Sequence, residues 1–147
     1  MLRLKAAASG MADFTSGTFK PLIDDPTVSN ARRVIFCSGK VYWDLIAERA
    51  KLGENSTAIV RLEQLYPFPI EDFMAVSKKH PNANLLWVQD EPANQGPYPF
   101  VALNTIEALE GRSLRRVSRR ATASPATGSH HLHEEEQHAL LTEAFTR

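Results

Sequence analysis

Short apolar runs alternate along the chain with segments in which apolar residues recur at helical spacing. The runs at residues 34–37, 58–62 and 85–88 predict strands, and a shorter fourth strand is predicted at residues 114–117. The first three are continuous rather than alternating in polarity, which is typical of strands that are buried on both faces of a sheet. The pattern therefore predicts a largely buried sheet.

Helices are predicted in the intervals between these strands. Apolar residues recur at helical spacing in residues 41–50, and Gly53 is suited to end that helix. A second helix begins near Pro69, a third spans residues 101–110, and a final helix lies within residues 130–147.

This alternation of strands and helices predicts a three-layer α/β/α fold. Its sheet is mostly parallel, has about four to five strands and carries helices on both faces. We predict that this domain spans residues 32–147. Residues 1–31 have little periodicity and form a lead-in, within which residues 19–23 are predicted to be extended and to pack on the domain.

Composition excludes several functional classes. The chain has 147 residues, enough for one core, and its 17 Lys and Arg balance its 17 Asp and Glu. Zero net charge provides no counterion-release drive for nucleic acid and no basic face for an anionic membrane. No apolar run approaches the ~20 residues of a membrane span. With a single cysteine and no secretory-type leader, we expect a cytoplasmic protein.

Ligands of parallel sheets bind beyond the carboxyl ends of the strands, so the polar residues at those ends are the candidate site. Residues 38–40, Ser-Gly-Lys, follow the first strand. They can contact an anion through backbone N–H groups and the Lys40 charge, or they can form a tight turn with Ser38 as the helix N-cap. The turn is favoured because such caps are common.

Charged residues follow the other three strands. Glu63, Asp90 and Glu91 suit acid–base chemistry or a metal, but carboxylates more often cap helices and loops, which we favour. Arg119 and Arg120 suit a phosphate or carboxylate. An ion-paired surface or an interface to another domain explains the two arginines equally well.

Other reactive residues give weaker signals. The four histidines within residues 130–138 lack a metal-site spacing and are interpreted as a chance cluster. Cys37 lies in an apolar strand and is interpreted as a core residue rather than a nucleophile. Aromatic-proline loops at residues 66–69 and 97–100 are either partner surfaces or rigid connectors, the simpler interpretation. No nucleophile-elbow, dinucleotide-binding or Gly-Asp-Gly motif occurs.

Four segments have sequences that the hydrophobic periodicity of strands and helices does not explain. They read VIFCSGKVY, AIVRLEQLYPFP, WVQDEPANQG and SRRATASPATGS, and they begin at residues 34, 58, 87 and 118. In this order, with His133 beyond them, they resemble the C-terminal, transketolase-type domain of 2-oxoglutarate dehydrogenase E1. The lead-in resembles the linker before that domain, and the pattern around Arg120 is most similar to actinobacterial members.

The resemblance implies a role in the tricarboxylic acid cycle. The parent E1 is an oxidoreductase that decarboxylates 2-oxoglutarate with thiamine diphosphate and Mg²⁺ and passes a succinyl group to the lipoyl arm of E2. The family holds both cofactors in preceding domains, so we expect no catalytic residue, metal ligand or cofactor in this chain alone. Its implied partners are those domains, the E1 dimer and, indirectly, E2.

Two hypotheses follow for the chain. In the first it is a segment or split subunit of E1, inactive alone, that supports assembly and exposes an apolar surface until its partner covers it. In the second it is a free-standing regulatory module that binds a nucleotide or acyl-CoA at the strand ends. The effector-binding residues would be Ser38, Gly39, Lys40, Arg119 and Arg120. The loop and interface residues would be Glu63, Gln64, Glu91, Asn94, Gln95, Ser124 and His133.

Overall fold

The computed structural model describes residues 4–146 and contains one five-stranded sheet. Its strand order is β1-β3-β2-β4-β5. The strands are β1 (Leu22–Ile23), β2 (Arg33–Cys37), β3 (Thr57–Leu62), β4 (Asn84–Pro92) and β5 (Leu114–Arg119). The pairs that join β2, β3, β4 and β5 are parallel, whereas β1 pairs antiparallel with β3. This confirms the predicted mostly parallel sheet.

Helices cover both faces of the sheet. They are α1 (Met11–Thr15), α2 (Val41–Leu52), α3 (Ile70–Lys79), α4 (Tyr98–Thr105) and α5 (His130–Thr146), preceded by a short 3-10 helix at Lys5–Ala7. One core layer joins α3 and α4 to the sheet, and the other joins α2 and α5 to the opposite face. The three-layer α/β/α prediction is confirmed.

The central strand β2 shows why the apolar runs had to be continuous. Val34 and Phe36 face α3 and α4, whereas Ile35 and Cys37 face α2 and α5, and all four are fully buried. Successive side chains of a strand point to opposite faces, so a strand covered on both sides has no polar position. The ring centroids of Phe36 and Phe73 lie 4.1 Å apart and join β2 to α3.

Element boundaries differ from the prediction in two places. Strand β4 continues to Pro92 instead of ending at Val88; of its polar end, Gln89 is buried, Asp90 is half-buried and Glu91 is exposed. Helix α4 begins at Tyr98 and ends at Thr105, rather than spanning residues 101–110. Pro97 is its N-cap residue and Pro99 lies in its first turn, where a missing N–H costs no hydrogen bond.

The turn between β2 and α2 is also corrected in detail. Lys40 is the N-cap residue of α2, and no side chain caps this helix terminus, so the assignment of Ser38 as N-cap is wrong. The other end of α2 agrees with the sequence. Gly53 ends the helix in the left-handed conformation, with φ of 63°.

The end of the lead-in packs on the sheet, which agrees with the prediction for residues 22–23 but not for Phe19, which is 66% exposed. Strand β1 has only two residues, and the Asp25 carboxylate beyond it accepts a hydrogen bond from the Ile59 amide of β3 at 3.0 Å. Val28 and Ala31 are buried in the core. The division of the chain at residue 31 stays a prediction, and residues 1–3 and 147 lie outside the described residues.

No helix within residues 4–146 is long and apolar enough to cross a membrane.

His80, at the C-terminal end of α3, is a buried residue whose ring must be neutral. The Ala31 amide donates to its Nδ1 at 3.2 Å, and a protonated ring could not accept that hydrogen bond. Burial, and secondarily Lys79, hold the pKa of His80 below its ordinary value although Asp24 and Asp25 oppose this shift.

His80→Asn should therefore reduce the pH dependence of stability. Because the pKa of His80 is lower in the folded state, its contribution is complete above pH 6.5 and is lost as the pH falls through the folded pKa. Asparagine keeps an acceptor for Ala31 but does not titrate. Urea unfolding between about pH 7 and pH 5 should show a steeper loss of unfolding free energy in the wild type.

Parallel curves for the wild type and His80→Asn would contradict this expectation. Titration of Asp25 should not affect this comparison, because Asp25 changes the unfolding free energy only at lower pH. Burial raises the pKa of Asp25, but hydrogen bonds from Thr27, Ile59 and Arg49 outweigh burial and hold it below 3.8. The stabilisation by Asp25 is therefore present above that value and is lost as the pH falls further.

Candidate functional site at the carboxyl edge of the sheet

The candidate site lies where the chain leaves two adjacent parallel strands in opposite directions. From β2 the chain passes through α2 to β3 on one side, and from β4 it passes through α4 to β5 on the other. Such a switch point forms the usual ligand crevice of an open α/β sheet. Here it lies between residues 38–40 and Asp90.

The predicted anion contact at Lys40 is already occupied by protein groups. Lys40 forms an ion pair with Asp44 one turn further along α2. Gln137 of α5 bridges the crevice, since its side-chain amide donates to Asp44 Oδ2 at 3.0 Å and to Asp90 Oδ1 at 3.1 Å. The crevice therefore contains a connected polar network that links α2, β4 and α5.

Arg119 is likewise engaged within the domain. Its Nε donates to the Asp90 carbonyl at 2.6 Å, its Nη2 donates to the Pro125 carbonyl at 2.7 Å, and its Nη1 lies 3.3 Å from Glu136 Oε2. Only 9% of the side chain is exposed. Arg119 thus joins β4, β5, α5 and the loop before α5.

Arg120 is exposed, and its side chain forms no hydrogen bond or ion pair within residues 4–146. The cavity beside it, about 450 Å³, is also lined by Glu136 and Glu143, whose carboxylates oppose an anion. The structure brings Lys40, Arg119 and Arg120 to one edge of the sheet. Binding of an effector there stays a prediction.

Gln89 fixes the loop that follows β4. It lies where the register of β4 and β5 shifts, and only 2% of the residue is exposed. Its Oε1 accepts hydrogen bonds from Trp87 Nε1 and the Tyr98 amide, both at 3.0 Å. Its Nε2 donates to the carbonyls of Gln95 at 2.7 Å and Pro92 at 3.2 Å. Every polar atom of this buried amide is satisfied.

The predicted interface residues Asn94 and Gln95 join this loop to the loop before α5. Asn94 Nδ2 and Gln95 Nε2 both donate to the Thr122 carbonyl at 3.0 Å, and Asn94 Oδ1 accepts from the Thr122 amide at 3.1 Å. Ser124 hydrogen-bonds within the second loop, to the Ala126 carbonyl at 2.6 Å. These side chains hold two loops of the carboxyl edge together.

Glu63 and Gln64 lie at the end of β3, on the far side of the crevice. Glu63 Oε1 lies 2.6 Å from Nε of Arg61, whose guanidinium carbon is 4.6 Å from the centroid of the Tyr42 ring. Gln64 donates to the Pro67 carbonyl at 2.8 Å. Both residues therefore order the start of the β3–α3 loop.

Glu91 and His133 are exposed. Neither side chain forms a hydrogen bond within residues 4–146, although the Glu91 carbonyl accepts from Gln89 Nε2 at 3.3 Å.

Comparison with known protein families identifies the family of this chain. The model of the 2-oxoglutarate dehydrogenase C-terminal family matches residues 8–145. The chain belongs to this family. The resemblance drawn from the four segments is thus confirmed. All four contain contacts just described, at residues 38–40, 61–67, 89–95 and 119–124.

Long relatives share this domain. The 2-oxoglutarate dehydrogenase E1 component of Cupriavidus necator is 46% identical over 152 residues, which is 100% of this chain and 16% of that protein. The E1/E2 component of Corynebacterium glutamicum is 45% identical, and the multifunctional 2-oxoglutarate metabolism enzyme of Mycolicibacterium vanbaalenii is 41% identical. Each alignment covers 99% of this chain and 12% of the relative. The chain therefore spans less than a fifth of these proteins.

The acidic residues of this 2-oxoglutarate dehydrogenase C-terminal domain do not fit a divalent cation. Asp44, Asp90 and Glu136 contact Lys40, Gln137 and Arg119, as described above. Within residues 4–146 no group of three or more His, Cys, Asp or Glu side chains is placed to hold a metal. A diphosphate-bound Mg²⁺ needs free carboxylate or water ligands.

The isolated reactive residues also have structural explanations. His130 and His131 lie 3.5 Å and 3.7 Å from Glu134 and Glu135, in exposed pairs one helical turn apart. Burial raises the pKa of the Cys37 thiol well above its ordinary value, so this cysteine is a core residue and a poor nucleophile.

Sequence reasoning missed Gln89 and Gln137, which organise this edge. A glutamine at the end of an otherwise apolar strand is the only signal that could have identified Gln89, because a buried amide requires several partners. Nothing in the local sequence identifies Gln137, which lies 93 residues from Asp44.

Gly96→Ala should destabilise this domain by about 2–4 kcal/mol. Gly96 has φ of 71°, and a Cβ atom there would lie 2.8 Å from Glu91 Cβ and 2.9 Å from Gln89 Nε2. Gly111→Ala is the matched control, since Gly111 has φ of 91° but no atom within 4 Å of a Cβ. It should cost only about 1–2 kcal/mol, from backbone strain alone. Equal losses of unfolding free energy for Gly96→Ala and Gly111→Ala, measured by urea unfolding, would show that the loop does not require the close approach of Gly96 to Gln89.

Arg119→Ala and Arg120→Ala separate a structural arginine from a surface arginine. Loss of Arg119 removes the donors that its side chain provides to the Asp90 and Pro125 carbonyl oxygens. We expect about 2–3 kcal/mol of destabilisation. Arg120→Ala should change the unfolding free energy by less than about 0.5 kcal/mol. Thermal and urea unfolding of both variants measure the difference. A neutral Arg119→Ala would mean that these hydrogen bonds do not stabilise the fold.

Proposed function

We propose that the chain serves as the structural and assembly domain of a thiamine-diphosphate-dependent 2-oxoglutarate dehydrogenase E1. The enzyme would decarboxylate 2-oxoglutarate in the cytoplasm and pass a succinyl group to lipoyl-E2. The single observation that carries this proposal is the match to the C-terminal family over residues 8–145. Its named relatives, E1 components among them, contain this domain within much longer chains.

The geometry of the carboxyl edge supports a structural role. The side chains of Gln89, Arg119 and Gln137 are used to connect strands, loops and α5. Thiamine diphosphate and Mg²⁺, which the resemblance implies, would be bound by other domains of E1, because the carboxylates here contact protein donors. The partners of this chain would be those domains, the E1 dimer and, indirectly, E2.

The regulatory-module hypothesis has less support. It requires Lys40 and Arg119 to bind a nucleotide or an acyl-CoA, but both are held by protein acceptors. Lys40 is half-exposed, but the Arg119 side chain is mostly buried, and an effector would have to displace its partners. We therefore favour the E1 domain.

A domain exchange tests the proposal. The aligned segment of the Cupriavidus necator E1 component is replaced by this chain, and thiamine-diphosphate-dependent decarboxylation of 2-oxoglutarate is measured. We expect an active chimera, whereas the same E1 without the segment, and this chain alone, should be inactive. A folded but inactive chimera, or turnover by the isolated chain, would overturn the proposal.

A further inference from the structure

Helix α4 presents an apolar outer face to solvent. Phe100, Leu103 and Ile106, which we call the α4 strip, are 38%, 76% and 68% exposed. They recur every three residues and so lie along one side of the helix, while Val101 and Thr105 on the other side are buried against the sheet. A helix that is apolar on both sides is normally covered on both sides.

The charges around the strip set α4 apart from its neighbour. No charged residue occurs between Glu91 and Glu107. Helix α3 covers the same face of the sheet, yet its exposed positions carry the acidic Glu71 and Asp72 and the basic Lys78 and Lys79. Depletion of charge with retention of aromatic residues characterises the core of a protein interface rather than a solvated helix.

Aromatic residues extend the strip to the carboxyl edge. The ring centroid of Phe100 lies 6.3 Å from that of Phe68, which in turn lies 5.7 Å from that of the buried Phe73. Tyr66, in the same loop as Phe68, is 83% exposed. The two aromatic-proline loops therefore meet, and one end of the strip is anchored to the core.

A groove runs beside the strip. It encloses about 330 Å³, and its lining includes the apolar Ala102, Ile106, Leu109 and Leu114. Arg112 also lines it, but its guanidinium donates to the carbonyls of Ser77, His80 and Ala83. A groove of this kind accepts an apolar side chain of a partner, and buried aromatic and aliphatic anchors dominate interface energies. The surface thus combines protruding apolar side chains with a recess between α4 and β5.

We infer that the α4 strip and its groove are covered by the part of the E1 polypeptide that precedes this domain in the longer relatives. The inference rests on the proposed function. The chain covers only 16% and 12% of the Cupriavidus and Corynebacterium proteins, so most of an E1 chain is available to cover the strip. The partner surface must be apolar where it meets the strip, because none of the three strip residues carries a charge.

Protection of an introduced thiol tests this contact. Leu103→Cys places a cysteine on the strip, and Leu52→Cys places one at the end of α2, on the opposite face, at a residue that is 53% exposed. The native Cys37 is buried and should label slowly. Maleimide labelling is followed by peptide mass spectrometry in the isolated chain and in the Cupriavidus chimera.

We expect Leu103→Cys to label at least tenfold more slowly in the chimera than in the isolated chain, and Leu52→Cys to label equally in both. Equal labelling of Leu103→Cys in an active chimera would overturn the inference and leave the proposed function intact. Slow labelling that is already present in the isolated chain and disappears on dilution would assign the strip to a second copy, which also overturns it. An inactive chimera with a protected thiol would count against the function alone.

Discussion

The satisfaction of one buried amide determines the shape of the carboxyl edge. Gln89 lies at the end of β4 beneath its own loop, where water cannot reach its polar atoms. A buried amide left without partners would cost about 1–3 kcal/mol, so the loop must return its carbonyls to Nε2 and present the Tyr98 amide to Oε1. The position of Tyr98 is the start of α4. The same constraint therefore places the loop, the helix and the α4 strip.

The strands and most helices could be predicted because they obey local rules. Strand β2 is apolar on both faces because it lies at the centre of a covered sheet, and α2 ends at Gly53 because glycine adopts the left-handed conformation easily. The end of β4 could not be predicted in this way. Gln89 and Asp90 are polar, and their partners are the loop that follows β4 and Gln137 of α5, neither of which the strand's own sequence reveals.

The chemistry of the site could be predicted less well than the fold. Charges at strand ends indicated an anion site, and the ion pair between Lys40 and Asp44 was within reach of sequence reasoning, since the two are four residues apart on one helix. The contacts of Arg119 with Asp90 and Glu136 depend on how α5 packs. The sequence identifies the charged groups, but which of them form ion pairs depends on the packing of elements that are far apart in the chain.

Burial of the core stabilises the folded chain, whereas burial of the α4 strip would stabilise association with a partner. Residues such as Phe36 and Trp87 are fully buried within this chain, whereas the strip is not. Burying a large apolar side chain contributes roughly 1.5–3 kcal/mol. Leu103 and Ile106 are largely exposed within this domain, and Phe100 is 38% exposed, so much of the contribution of the first two is available for association. Covering the strip as proposed would therefore contribute free energy to association rather than to the core.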